Sequence, residues 1–237
     1  MCGRFTLHTE KELLARRFQV DLDGLGCLAP RYNIAPSQSV LTVRTQNDRR
    51  LAATMHWGLV PSWAKDRSKL PKMINARVET IASKPAFRSS FLRKRCLILA
   101  DGFYEWQPAA GLLRGKTPYW ISLESGEPFA MAGLWAEWRD RSELAASPLQ
   151  SCTIVTAPAQ SVITAVHDRM PLILTPEAEE AWLDPSLDGE AEALGAMLRP
   201  SSEEALRVSP VSKRVNSTRN EGPELIQPSD DPSLGFL

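Results

Sequence analysis

The chain has 237 residues, 43% apolar and 24% charged, with a formal net charge of zero. That length buries a sizeable core in one domain or a small pair, and the balance is that of a soluble globular protein. There is no apolar run near the ~18 residues of a membrane span and no basic-then-apolar leader, which argues against a membrane or exported protein. Cys2, Cys27, Cys96 and Cys152 lie far apart without a C-x-x-C pair, which argues against a zinc site and a secreted disulfide scaffold and points to a reducing cytosol.

In chain order, Thr9-x-x-Glu12 reads as a capping box opening a short helix through Leu13, Leu14 and Phe18. Ser39–Arg44 and Leu51–Trp57 flank Thr45–Arg50 as a hairpin. Short β-like runs follow at Arg95–Ala100, Gly102–Trp106, Tyr119–Leu123, Phe129–Trp135 and Cys152–Thr156, with Cys96 and Cys152 placed as buried core thiols. A helix over Ala159–Val166 precedes a loop at His167, then a strand Met170–Leu174 and a helix opened by Thr175-Pro176. Leu206–Val211 supplies a late strand, and the Pro-, Ser- and Asn-rich stretch 216–237 reads as a partly disordered tail after a single domain over 2–215. Strands without long helices between them predict an α+β fold with a mixed, mainly antiparallel sheet and peripheral helices.

The zero net charge hides a segregation. Ser62–Arg95 holds ten Lys or Arg against Asp66 and Glu79, a surplus of +8, whereas Glu177–Glu204 carries −8. Such a basic stretch offers an anion-binding surface inside a neutral protein. No phosphate loop and no G-x-G-x-x-G after a strand is present, and three histidines lack metal-ligand spacing.

Removal of Met1 makes Cys2 an N-terminal residue with an α-amine and a thiol on one Cα. Such an amine has a pKa of about 7.7–8.0 and is partly neutral at physiological pH. It condenses with an aldehyde to an imine, on which the thiol closes as a thiazolidine. Three further stretches are too polar for packing alone: Ile74–Glu79 with Asn75 and Arg77, Ala100–Trp106 with Glu105 among aromatics, and Val166–Pro171 with His167 and Arg169. A carboxyl buried among aromatics acquires the raised pKa a proton shuttle needs.

Met1–Phe5, Arg31–Pro36, Trp57–Trp63, Ile74–Thr80, Ala100–Trp106, Ala132–Trp135, His167–Pro171 and Val208–Asn216 together resemble the SOS response-associated peptidase (SRAP) family of abasic-site processing proteins, with Leu99 standing where many relatives have Pro. The resemblance implies a pseudo-barrel of antiparallel sheet and a monomer that traps abasic sites in single-stranded DNA, without metal or organic cofactor. It implies Cys2 as nucleophile, Asn75 orienting the N-terminus or sugar, Glu105 as acid/base and His167 assisting proton transfer. It also implies Arg77 and Arg169 as phosphate clamps, Trp63 stacking on bases, and Arg4 as a further phosphate contact. A thiol peptidase built on Cys2, Glu105 and His167 and a non-covalent single-strand binder are the rival readings.

Overall fold

The computed structural model describes residues 2–108, 115–140, 147–198 and 205–229. The chain runs β1 (Phe5–Leu7), α1 (Lys11–Phe18), β2 (Arg31–Ile34), β3 (Ser39–Gln46), β4 (Arg49–Trp57), β5 (Asn75–Arg77), α2 (Pro85–Arg93), β6 (Arg95–Ala100) and β7 (Gly102–Pro108). It continues with β8 (Lys116–Leu123), β9 (Phe129–Trp138), β10 (Leu149–Pro158), β11 (Arg169–Pro171), β12 (Ile173–Leu174), α3 (Pro176–Leu183), α4 (Ala191–Ala196) and β13 (Leu206–Pro210).

Five strands close into a ring, β4-β3-β6-β9-β10 and back to β4. All of its pairings are antiparallel except β4 with β10, where Cys152 lies beside Trp57. Closure leaves fewer unpaired edges than an open sheet. A second sheet of five antiparallel strands, β13-β8-β7-β1-β2, lies against it. Alternation along the ring strands builds two cores. Leu97 and Leu99 of β6 and Val155 of β10 join Leu14, Phe18, Phe91 and Trp182 from the helices. Cys96, Ile98 and Cys152 point the other way, into a core with Cys2, Phe5, Trp57, Phe103 and Ile121. The fold is therefore α+β, mainly antiparallel and ring-forming. Among the described residues, no helix is long and apolar enough to cross a membrane.

Local departures from the sequence expectation have identifiable causes. The β3–β4 turn is tighter than expected: Gln46 pairs with Arg49, and Asn47 and Asp48 both take positive φ, 50° and 55°, the geometry of a two-residue hairpin that Asn and Asp tolerate. Thr9 does not cap α1. Its hydroxyl donates to Asp101 at 2.5 Å, and Asp101 also accepts the amides of His8 and Thr9, so this buried aspartate fixes the lead-in to the helix. Ala159–Val166 is a 3-10 helix over Ser161–Ala165, and Met170–Leu174 divides into β11 and β12, paired to β10 and β9 respectively. Of the stretch 216–237, expected to be a partly disordered tail, residues 216–229 are packed. Leu225 is fully buried, Ser229 N–H donates to Pro210 O at 2.9 Å, and Trp106 Nε1 donates to Asn216 Oδ1 at 2.7 Å; residues 230–237 lie outside the described residues.

Gly102 opens β7 where no side chain fits. A Cβ there would lie 2.4 Å from Trp120 Nε1 and 2.8 Å from the backbone oxygen of Ile121. Gly102→Ala is expected to cost about 1–3 kcal/mol through forced displacement, read as a lower urea midpoint at unchanged m-value.

Candidate functional site

Cys2 has no exposed surface. The strand behind it explains why: Phe5 pairs with Ile34 on one side and Phe103 on the other, and Tyr104 N–H donates to Arg4 O at 2.9 Å. Antiparallel register carries Cys2 and Gly3 onward alongside Glu105 of β7. Phe5 meets Trp57 edge-to-face at 5.1 Å, and Trp57 Nε1 donates to Ile74 O at 2.9 Å. That bond anchors the chain just before Asn75, which β5 holds in parallel register with Ile154. Asn75 Nδ2 donates to the Cys2 carbonyl at 2.8 Å, while its Oδ1 is buried with no hydrogen-bond partner. The second sheet and the ring thus meet at Cys2.

Glu105 is 1% exposed. Burial pushes its carboxyl up to about 7, against the opposing pull of the amino-terminal charge. His167 follows the 3-10 helix, its amide bonded to Ile163 O at 2.9 Å, and its Nε2 lies 3.9 Å from Glu105 Oε2. Burial lowers the His167 pKa, as does the amino-terminal charge, while Asp168 opposes them. Its Nδ1 accepts the Arg169 N–H at 3.0 Å and lies 2.8 Å from Asp168 Oδ1. The first contact needs a bare Nδ1 and the second a protonated Nδ1, so the surroundings serve both states of a nitrogen that carries protons. The Cys2 thiol is pushed far above its ordinary value by burial and then by the Glu105 charge. It is a neutral thiol, not a resting thiolate.

Sequence reasoning missed what fixes the distance between Glu105 and His167. Gln107, on the same face of β7 as Glu105, donates to Ala165 O at 2.7 Å, and Tyr119 OH is 3.1 Å from Gln107 Oε1. The clamp joins β7, β8 and the 3-10 helix. An i, i+2 polar pair in a strand was the available signal; its partner became visible only in three dimensions.

The expected DNA contacts divide. Arg77 is exposed at the end of β5, and Trp63 is 55% exposed. Arg169, expected as the second phosphate clamp, is engaged within the protein. It is 9% exposed, with both terminal nitrogens on Glu79 and one also on Thr156 O. β11 pairs Arg169 with Pro158 of β10, which turns the side chain into the protein. Arg4 is likewise engaged by Asn33 Oδ1 and Val215 O (2.8 Å) and lies 5.8 Å over the Trp106 ring. Arg95 leaves the basic surface too: its guanidinium is buried against the carbonyls of Trp182 and Asp184 and the carboxylate of Asp188. Lys65, Arg67, Lys69, Lys72, Lys84, Arg88 and Arg93 remain exposed with Arg77.

Solved structures share this fold. A Bacteroides thetaiotaomicron protein matches with a TM-score of 0.83 at 25% identity, covering 96% of this chain and all of its own. Among the chain's relatives, the abasic site processing protein YoqW of Bacillus subtilis is 41% identical over 228 residues, 96% of this chain and 99% of its own. YedK of Escherichia coli, also named an abasic site processing protein, is 32% identical over 234 residues, 96% of this chain and 100% of its own. The Gallus gallus abasic site processing protein HMCES is 37% identical over 244 residues, 90% of this chain and 70% of its own. The family model described as SOS response associated peptidase (SRAP) matches residues 1–218, and the chain belongs to that family.

Proposed function

We propose that this protein, after removal of Met1, captures abasic sites in single-stranded DNA through a covalent bond to Cys2. The observation that carries the reading is the convergence on one buried residue. Cys2 is held by Asn75 through its carbonyl, beside a carboxyl with a pKa of about 7 and a histidine 3.9 Å from that carboxyl.

An abasic deoxyribose interconverts between a closed ring and an open aldehyde. Protonated Glu105 donates to the ring oxygen as the C1′–O4′ bond opens, and the proton of the C1′ hydroxyl passes to His167, leaving the aldehyde. The Cys2 amine then adds to C1′, and loss of the C1′ oxygen as water, with a proton supplied by Glu105 or His167, leaves the imine. The Cys2 sulfur adds to the imine carbon and its proton passes to nitrogen, closing the thiazolidine. The net change is one C–N and one C–S bond formed and one water released. The neutral thiol suits this order, because the amine attacks first and the thiol meets an activated imine. A peptidase needs the opposite, a thiolate ready for an unactivated carbonyl.

A heat-stable adduct should form with DNA containing an abasic aldehyde and not with the same strand bearing a tetrahydrofuran residue in its place. Peptide turnover without any adduct would reverse the assignment in favour of a peptidase.

The solvent-facing Arg77 and Trp63 act on the strand, Arg77 at phosphate and Trp63 by stacking. Arg77→Ala is expected to lower the salt slope of single-strand binding by about 0.7. Arg169→Ala should lower thermal stability, since it removes the guanidinium that bonds both Thr156 O and the Glu79 carboxylate beside the His167 loop. An unchanged slope for Arg77→Ala, measured as affinity against salt concentration, would remove Arg77 from the DNA contact.

A further inference from the structure

A cavity of about 380 Å³ is lined in part by Leu70, Pro71, Lys72 and Met73, the residues just before Asn75. Its size falls within the ~300–1,000 Å³ of small-ligand sites. Its walls include Leu70, Pro71 and Leu149, and its polar groups include His56, Arg67 and Lys72. His56 sits on β4 between Ser39 of β3 and Ser151 of β10, so the ring of strands fixes its backbone on both sides. Gly58, at φ 142°, keeps the ground beside the ring open, since a Cβ there would meet His56 Nε2 at 3.4 Å. Arg67 and Lys72 face solvent, and their charges, after burial, hold the His56 pKa below its ordinary value. The imidazole is thus neutral, with one donor and one acceptor beside two cations and apolar walls.

These chemistries are those of a nucleotide. We propose that the cavity holds one unstacked nucleotide of the strand flanking the lesion, its base against Leu70, Pro71 and Leu149 with an edge on His56, and its phosphate at Arg67 and Lys72. Lys72 is three residues from Asn75, so their Cα atoms are at most about 11 Å apart. At ~3.4 Å per nucleotide along a strand, the occupant lies within about three positions of the abasic sugar. The inference rests on the reading of the protein as a binder of abasic single strands and adds a place where sequence context is read.

The test uses oligodeoxynucleotides with one tetrahydrofuran residue, which bind without reacting. A second base-less residue is placed one, two or three positions to either side. One of these placements should weaken binding to the parent protein about tenfold, the scale of one lost stacking contact. That penalty should vanish in His56→Ala, and Lys72→Ala should lower the salt slope by about 0.7. If His56→Ala misfolds, Leu149→Trp fills the cavity from its rim and must remove the same penalty. Absence of the coupled penalty, or an unchanged slope, overturns the proposal. Adduct formation by the parent protein on true abasic DNA is measured separately, so failure of the covalent reading registers there and leaves the binding result intact.

Discussion

Protein that keeps Met1, or carries any uncleaved N-terminal extension, should form no heat-stable adduct with abasic single-stranded DNA, although its fold is unchanged. The chemistry requires both nucleophiles of one residue. An amide nitrogen on Cys2 cannot form an imine, and the thiol alone is held neutral by burial and by the Glu105 charge. Cys2→Ala separates the two steps. It retains an amine after Met1 removal, so it should give an imine that is lost on heating unless reduced by borohydride, together with more strand cleavage by β-elimination. Denaturing gels with and without borohydride distinguish these outcomes. A heat-stable adduct from Cys2→Ala would eliminate the thiazolidine.

Glu105→Gln is expected to slow adduct formation by about 10²–10⁴-fold, the usual contribution of a positioned acid or base, with single-strand affinity nearly unchanged. The pH dependence carries the sign. Protonated Glu105 is available below about 7, and the neutral amine is available above its pKa of about 7.7–8.0. The parent rate should therefore pass through a maximum between pH 7 and 8, and Glu105→Gln should lose the alkaline fall while keeping the acid-side rise. Stability should move as well. Folding raises this carboxyl from 4.5 to about 7, which favours the folded state below pH 4.5 and is lost as pH rises through about 7. Glu105→Gln should thus gain thermal stability relative to the parent as pH increases from 5 to 8. A variant with the parent rate and the parent pH profile would make Glu105 a structural residue.

Much of this site could be read from the sequence because its chemistry is written in residue types that packing alone does not require. Cys2 after an initiator Met, Glu105 among aromatics and His167 at a helix-to-strand junction two residues before Arg169 each stood out before any contact was known. The strands from Arg95 to Thr156 were legible for a similar reason, since their apolar runs are long enough to be recognised singly. The three-residue strands β1 and β5 were not, because their stability comes from neighbours: Phe5 between Ile34 and Phe103, and Asn75 beside Ile154. The arginines show the same limit. Nothing local separates Arg77, which faces solvent, from Arg169 and Arg95, whose guanidinium groups are claimed by Glu79 and by Asp188. The tail shows the limit of composition. Its Pro, Ser and Asn content resembles disorder, yet Leu225 fills a space beside Tyr104, whose hydroxyl lies 3.5 Å from the Leu225 carbonyl.

The central claim is that one residue supplies both bonds to the lesion, and intact-protein mass spectrometry after incubation with an abasic oligodeoxynucleotide tests it most directly. The predicted species is the protein without Met1 plus the oligodeoxynucleotide minus one water, surviving heat without reduction, with fragmentation locating the added mass on Cys2. An adduct of that stability on protein that still carries Met1, or one located on any other residue, would contradict the account.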